Sequence, residues 1–174
     1  VSVLWHRLYG EFIDIIGPDA RGFSDWLGVY SPQPSYVLQC DFAYMVSNPM
    51  FREFALAELS DSAARLHRAF FHLDGRGMLR HLDDILALEH IHAIQWVPGE
   101  GAAPHGEAWM EVYRKVQQAG RALDLYIPNL RDAELVIRSL DPSRLALRVV
   151  CRSIEEGRQF LEDAIRWSAA PRLR

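Results

Sequence analysis

A histidine and an aspartate two residues apart, at the end of an apolar run, can share a metal ion or handle a proton beside a substrate. The chain carries such a pair in Ala69–Gly77 (AFFHLDGRG), where His72 and Asp74 precede Gly75. Residues two apart on a strand share a face, so His72 and Asp74 can act together. Their plainer role is a strand end and an Asp-Gly turn opening the next helix. Other side chains with useful chemistry are scattered along the sequence: Cys40 and Asp41, Gln95 and Trp96, Tyr126 and Asn129, and Cys151. Asp41 can serve as a base or bind substrate, with a turn or helix cap as its plainer role. For Cys151 the plainer role is that of a small, inert, buried thiol.

Whether these residues meet depends on the elements that carry them. Leu4, Leu8, Phe12 and Ile15 or Ile16 recur at helical spacing before Gly17-Pro18. A loop rich in Gly, Pro and Ser, from about Asp19 to Ser35, holds Trp26 and Tyr30 and is expected to pack. Strands and helices then alternate. Tyr36–Phe42 reads as a strand, and Asn48-Pro49 opens a helix that carries Phe51, Phe54, Leu59 and Leu66 toward a core. Ala69–Asp74 is the second strand, followed by a helix over Met78–Glu89. Ala93–Pro98 is the third, followed by a helix marked by Trp109, Val112, Tyr113 and Val116 and ended by Gly120. Leu123–Pro128 is the fourth, with a helix over about Arg131–Leu140, and Leu145–Val150 is the fifth. Ser153 and Glu156 form an S-x-x-E capping box opening a last helix that is expected to bury Phe160, Leu161 and Ile165.

Strands separated by single amphipathic helices predict β-α-β units, a parallel sheet and one α/β domain over residues 1–174, with 1–35 as an N-terminal helix and loop. In such folds ligands bind at the carboxyl ends of the strands, which is where the scattered candidates fall. Gly75-x-Gly77 lacks the rest of a phosphate-binding fingerprint and reads as a turn. His90 and His92 are expected to be incidental. Glu100, His105 and Glu107 lie in the loop beyond the third strand, from which Glu100 could approach the site.

Composition sets the outer bounds. The chain has 174 residues, 49% of them apolar and 24% charged, within the globular range. A net charge of −4 offers no basic field for a phosphate backbone, so nucleic acid is not an expected partner. No apolar run is long enough for a membrane span, and the first residues do not read as a signal peptide. Two cysteines make no disulfide scaffold, and reduced thiols lead to a cytoplasmic expectation. Val1 in the first place suits a processed or truncated product.

Four stretches carry a resemblance: LQCDFAYMVSNPMFREFALAEL, FFHLDGRGMLRHLDDILALEHIHAIQWV, ALDLYIPN and LALRVVCRSIEEG. In order and spacing they resemble the last five strands of the uroporphyrinogen decarboxylase-like superfamily, from about Tyr36 to the C-terminus. The resemblance implies a partial (β/α)8 barrel of about five strands. One branch of that superfamily decarboxylates tetrapyrrole acetate groups without a cofactor. The other transfers methyl groups between corrinoid proteins and thiols, using zinc held by a His-x-Cys pair and a later Cys. Asp41 falls where the decarboxylases keep a serine, and their substrate-binding arginines lie on the first three strands, which have no counterpart here. A decarboxylase built from this chain would therefore need a partner for the missing strands.

On the methyltransferase pattern His72 falls on the histidine, Asp74 on the first cysteine and Cys151 on the later one. The implied zinc set is thus His72, Asp74 and Cys151, with a fourth position open. Zinc would keep a substrate thiol deprotonated and nucleophilic. The same resemblance gives His72 and Asp41 catalytic roles, and places Gln95, Trp96 and Tyr126 against substrate. A corrinoid protein or a small molecule would be the partner. Five strands cannot close a barrel, so exposed edges imply a homo-oligomer. A truncated, non-catalytic, self-associating chain is the remaining alternative.

Overall fold

The computed structural model describes residues 2–17 and 21–173. Val1, Pro18 of the helix stop and the first residues of the following loop lie outside these. The chain is α/β, with a five-stranded parallel sheet flanked by helices. The strands are β3 (Ser35–Gln39), β4 (Arg68–Asp74), β5 (Ile91–Val97), β6 (Ala122–Ile127) and β7 (Leu145–Val149), in that spatial order. All five strands that the sequence predicts are present, with ends that differ by a few residues. No described helix is long and apolar enough to cross a membrane. The residues group into two compact units, 1–72 with 77–92 and 73–76 with 93–174.

The first unit opens with helix α1 (Ser2–Ile16), as its apolar spacing predicts. The expected loop contains a short antiparallel pair, β1 (Phe23–Ser24) and β2 (Tyr30–Ser31), too brief to show any alternation in sequence. The strand predicted over Tyr36–Phe42 stops at Gln39. A 3₁₀ turn over Asp41–Met45 takes the rest, so Asp41 lies on a turn rather than at a strand end. Helix α2 (Asn48–Phe51) starts as expected around Asn48-Pro49, but Ser47 is the cap, accepting from the Met50 amide at 3.5 Å. The Asn48 side chain instead donates to the Arg80 carbonyl at 2.8 Å.

A wider, π-type turn over Arg52–Leu56 joins α2 to α3 (Ala57–Ala64). Of the four residues expected in the core, Phe51, Leu59 and Leu66 are buried and Phe54 is 59% exposed. A π turn holds more residues than an α turn, which rotates Phe54 away from the face of Phe51. The helix expected over Met78–Glu89 is a 3₁₀ turn (Arg76–His81) and a short α4 (Leu82–Leu86). Its predicted apolar face still packs, with Leu82, Ile85 and Leu86 buried. His81 is buried there too. Its Nε2 lies 2.9 Å from the Ala43 carbonyl, and its ring stacks on Phe51 at 4.4 Å between centroids.

The second unit runs from β5 through α5 (Met110–Gln118), β6, α6 (Leu130–Ser139), β7 and α7 (Ile154–Ala169). Its strands have two distinct faces. In register, Gln95 sits beside Asp124, and Tyr126 beside Arg148. Since side chains alternate, Gln95, Asp124, Tyr126 and Arg148 share one face. The opposite face presents Ile94 and Trp96, then Leu123, Leu125 and Ile127. It belongs to the buried core with Met110, Tyr113, Val116, Ala133 and Val136. That core holds α5 and α6 to the sheet through an apolar layer of the usual helix-on-sheet kind.

The expected capping box opens α7, where Ser153 Oγ accepts from the Glu156 amide at 3.1 Å. The burial predicted for α7 does not follow. None of its residues is buried, and Leu161 and Ile165 are 63% and 72% exposed. Its period is helical, but period alone does not say that anything lies against the apolar side.

Candidate functional site

The second unit holds a cavity of about 620 Å³ at the carboxyl ends of its strands. The strands deliver Asp74, Gln95, Trp96, Tyr126 and Arg148 to its wall. The segment after β5 adds Pro98, Gly99, Glu100 and His105. Gly75 and Gly99 set the shape of that corner. Gly75 donates to the Val97 carbonyl at 2.8 Å, and a Cβ on Gly99 would stand 3.1 Å from the Gly75 Cα. Gly99 has φ +85, so two backbones meet closely where a side chain would be strained.

The wall is organised by one ion pair. Arg148 Nη2 lies 2.6 Å from Asp124 Oδ2. The Asp124 side chain is 2% exposed and that of Arg148 39%, so the acid is sequestered while the guanidinium reaches the cavity. A buried carboxylate needs such a partner, and the pairing in turn limits the orientations open to the guanidinium. Arg148 Nε is buried and makes no hydrogen bond among the described residues. The guanidinium carries five N–H donors in a planar fork, so the contact with Asp124 leaves donors for a second anion.

His105 is fixed as well. Its Nδ1 lies 2.9 Å from the Tyr113 hydroxyl, which also accepts the Gly106 amide at 3.3 Å. With the hydroxyl as donor to Nδ1, the ring proton of the neutral imidazole is assigned to Nε2. Burial, and then the Arg148 charge, pull the His105 pKa down to about 4, against a hydrogen bond to the Trp96 backbone that raises it. A pKa near 4 leaves the ring neutral at physiological pH. Burial also pushes the Tyr113 phenol up.

No protein-family model, no curated protein and no solved structure matches this chain.

The residues predicted from sequence divide between the units. Asp74, Gln95, Trp96 and Tyr126 meet at the cavity of the second unit. Trp96 is fully buried and edge-on to Trp109 at 5.1 Å. Asp41 and His72 belong to the first unit. Asp41 is exposed, and half-buried His72 packs edge-on to Trp26 at 5.1 Å. Cys151 is half-buried after β7 and is not among the cavity's lining residues. Among the described residues, no three His, Cys, Asp or Glu side chains are grouped so as to hold a metal ion. His72, Asp74 and Cys151, the set implied for zinc, do not form such a group among the described residues.

Sequence reasoning missed Asp124 and Arg148. A signal was there: each interrupts an apolar strand run (LDLYI and LALRVV), and each lies on the face opposite its leucines. It missed the pair because the two charges are 24 residues apart and meet only through strand register.

Proposed function

We propose that the second-unit cavity binds a small carboxylated molecule through Arg148. The chain would then be an enzyme of the uroporphyrinogen decarboxylase-like kind, a partial barrel working on a carboxylated substrate. The observation that carries this reading is the anchored guanidinium: Arg148 lines the cavity and is held in place by buried Asp124. Guanidinium and carboxylate match in geometry and charge, and their bonds are about twice as strong as neutral ones. Gln95 and Tyr126 supply neutral hydrogen-bonding groups beside it. Loss of CO2 from a bound carboxylate leaves an electron pair on carbon that must take up a proton. Asp74 and Glu100 are the wall carboxyl groups able to carry one. Between the two branches of the resemblance, these donors favour the cofactor-free one.

Calorimetric titration with succinate, citrate and a porphyrin polycarboxylate tests the reading, with the corresponding amides as controls. At least one acid should bind, and its amide should not. An Arg148→Gln, Asp124→Asn double variant, which keeps the wall's charge balance, should bind about tenfold more weakly or worse. The reading fails if no acid binds, or if the double variant binds as well as the natural chain.

Self-association has separate support. Ile154, Leu161 and Ile165 recur at helical spacing on α7 and are exposed, and every residue of β7 is only partly covered. Apolar residues in such numbers mark association surfaces. Light scattering on the purified chain should give a mass of two copies or more.

A further inference from the structure

Charged groups of both signs line the second-unit cavity. Arg148 is the one lysine or arginine among its described lining residues, and Asp124, at 2.6 Å, already answers part of that charge. His105 adds no second cation at physiological pH, because burial and then the Arg148 charge hold its pKa near 4. Glu100 stands on the segment after β5, exposed, and its carboxylate makes no hydrogen bond or ion pair among the described residues. Gly99 and Gly101 flank it with φ +85 and +68, so the chain turns sharply at this residue. Beyond the strands the rest of the wall is small and apolar, with Pro98, Ala102, Ala103, Pro104 and Pro128.

The first unit has its own cavity, of about 480 Å³, and it marks the contrast. Trp5, Trp26, Tyr36, Phe42 and Phe54 wall it, with Glu58 beside them. Phe54 joins these rings because the π-type turn rotates it out of the core. A wall of rings selects for apolar surface, whereas a wall with charges of both signs selects for where a ligand carries its charges.

We propose that the carboxylated ligand of the second-unit cavity also bears an ammonium group: an amino acid or a close analogue, with its carboxylate on Arg148 and its cation at Glu100. The inference rests on the reading of Arg148 as a carboxylate anchor and narrows it. A simple monocarboxylate uses the guanidinium and draws nothing from Glu100. A polycarboxylate brings a second negative group to a wall that offers it no second cation, and sets it against Glu100 in like charge. A ligand with both charges makes a charge-assisted contact at each end, and the small apolar residues suit the short hydrocarbon between them. With Glu100 engaged by the cation, Asp74 is the wall carboxyl group left to move a proton.

Four five-carbon ligands test this by isothermal titration on the whole chain: pentanoate, glutarate, norvaline and 5-aminopentanoate. All carry a carboxylate, and they differ in the charge and place of the second group. At least one of the two amino acids should bind about tenfold more tightly than both pentanoate and glutarate, as expected for one added contact between charged groups. Glu100→Gln, at an exposed loop position, should erase most of that preference while circular dichroism stays unchanged. Amino acids that bind no better than a measurable pentanoate would overturn the proposal and leave the Arg148 reading standing. A preference that survives Glu100→Gln would also overturn it, and absence of binding by all four ligands would overturn both readings. Failure of the Arg148 reading alone has its own signature: an amino acid that binds the Arg148→Gln, Asp124→Asn double variant as tightly as the natural chain.

Discussion

The two cavities use the same materials, strand ends and amphipathic helices, and arrive at opposite chemistry. In the first unit the wall is aromatic with one carboxylate. In the second it is an arginine held by a buried aspartate, with neutral polar groups around it. The difference arises from what the sequence places on one face of a strand. β6 and β7 alternate leucines with Asp124, Tyr126 and Arg148, so one face packs and the other is left to do chemistry. β3 itself carries no charged residue, and rings from α1, the loop and the π-type turn line the space beside it. A parallel strand thus fixes where a site can lie, and the residues of a single alternating row fix its sign.

The comparison breaks most sharply at the ion pair. Arg148→Leu removes the 2.6 Å contact to buried Asp124 and should cost about 3–5 kcal/mol in urea unfolding. Adding Asp124→Leu should recover most of that loss, as expected when two charges are removed together. A loss below about 1 kcal/mol for the single variant would mean that the pair does not organise the wall.

Glycines sharpen the comparison next. Gly106 has φ +144, and a Cβ there would come 2.5 Å from the Asp132 carboxyl carbon. Gly28 of the first unit has φ +74 and open space around it. Gly106→Ala should therefore cost about 2–3 kcal/mol and Gly28→Ala about 1 kcal/mol, read from thermal midpoints. Equal costs would show that backbone conformation alone decides both.

A pH series isolates the second unit. His105 is held near 4 in the folded chain and returns to about 6.5 on unfolding. Between those values the unfolded chain binds a proton that the folded one does not, so this group's contribution to stability falls as pH drops from about 6.5 to about 4. His105→Asn should flatten that slope in denaturant titrations, and an unchanged slope would remove His105 as its source. The smallest effect belongs to α7. Leu161→Gln and Ile165→Gln should each change the stability of the isolated chain by less than about 0.5 kcal/mol. A larger, concentration-dependent loss would show that another copy covers them.

Much of the fold was legible in the sequence. Five apolar runs separated by amphipathic spacers announce a parallel α/β sheet, because each spacer is a helix that crosses from one strand to the next and lays its apolar side on the sheet. The errors lie where local pattern and packing diverge. Asp41 continues an apolar run yet belongs to a 3₁₀ turn, since a run of suitable residues does not show where ladder bonding stops. Leu161 and Ile165 have the right period yet are exposed. Of the site, Gln95, Trp96, Tyr126 and Asp74 were found from their place at strand ends. Asp124 and Arg148 were not, since register between distant strands creates their pairing. His72 and Cys151 were read as ligands by resemblance, and neither lines the cavity where Asp74 stands.

The π-type turn over Arg52–Leu56 has a consequence for how this helix tolerates change. Phe51 and Leu59 are eight residues apart, and in an unbroken α-helix they would diverge by about 80°. The wide turn absorbs one residue and returns both to the buried side. Deleting a single residue within 52–56 would therefore convert the wide turn to an ordinary one and leave both packing faces aligned. The same deletion in the middle of α5 would turn half of that helix by about 100° and expel its buried residues. Length variation that would ruin most helices is harmless to packing at this one point, and the residue most affected is Phe54, in the wall of the aromatic cavity.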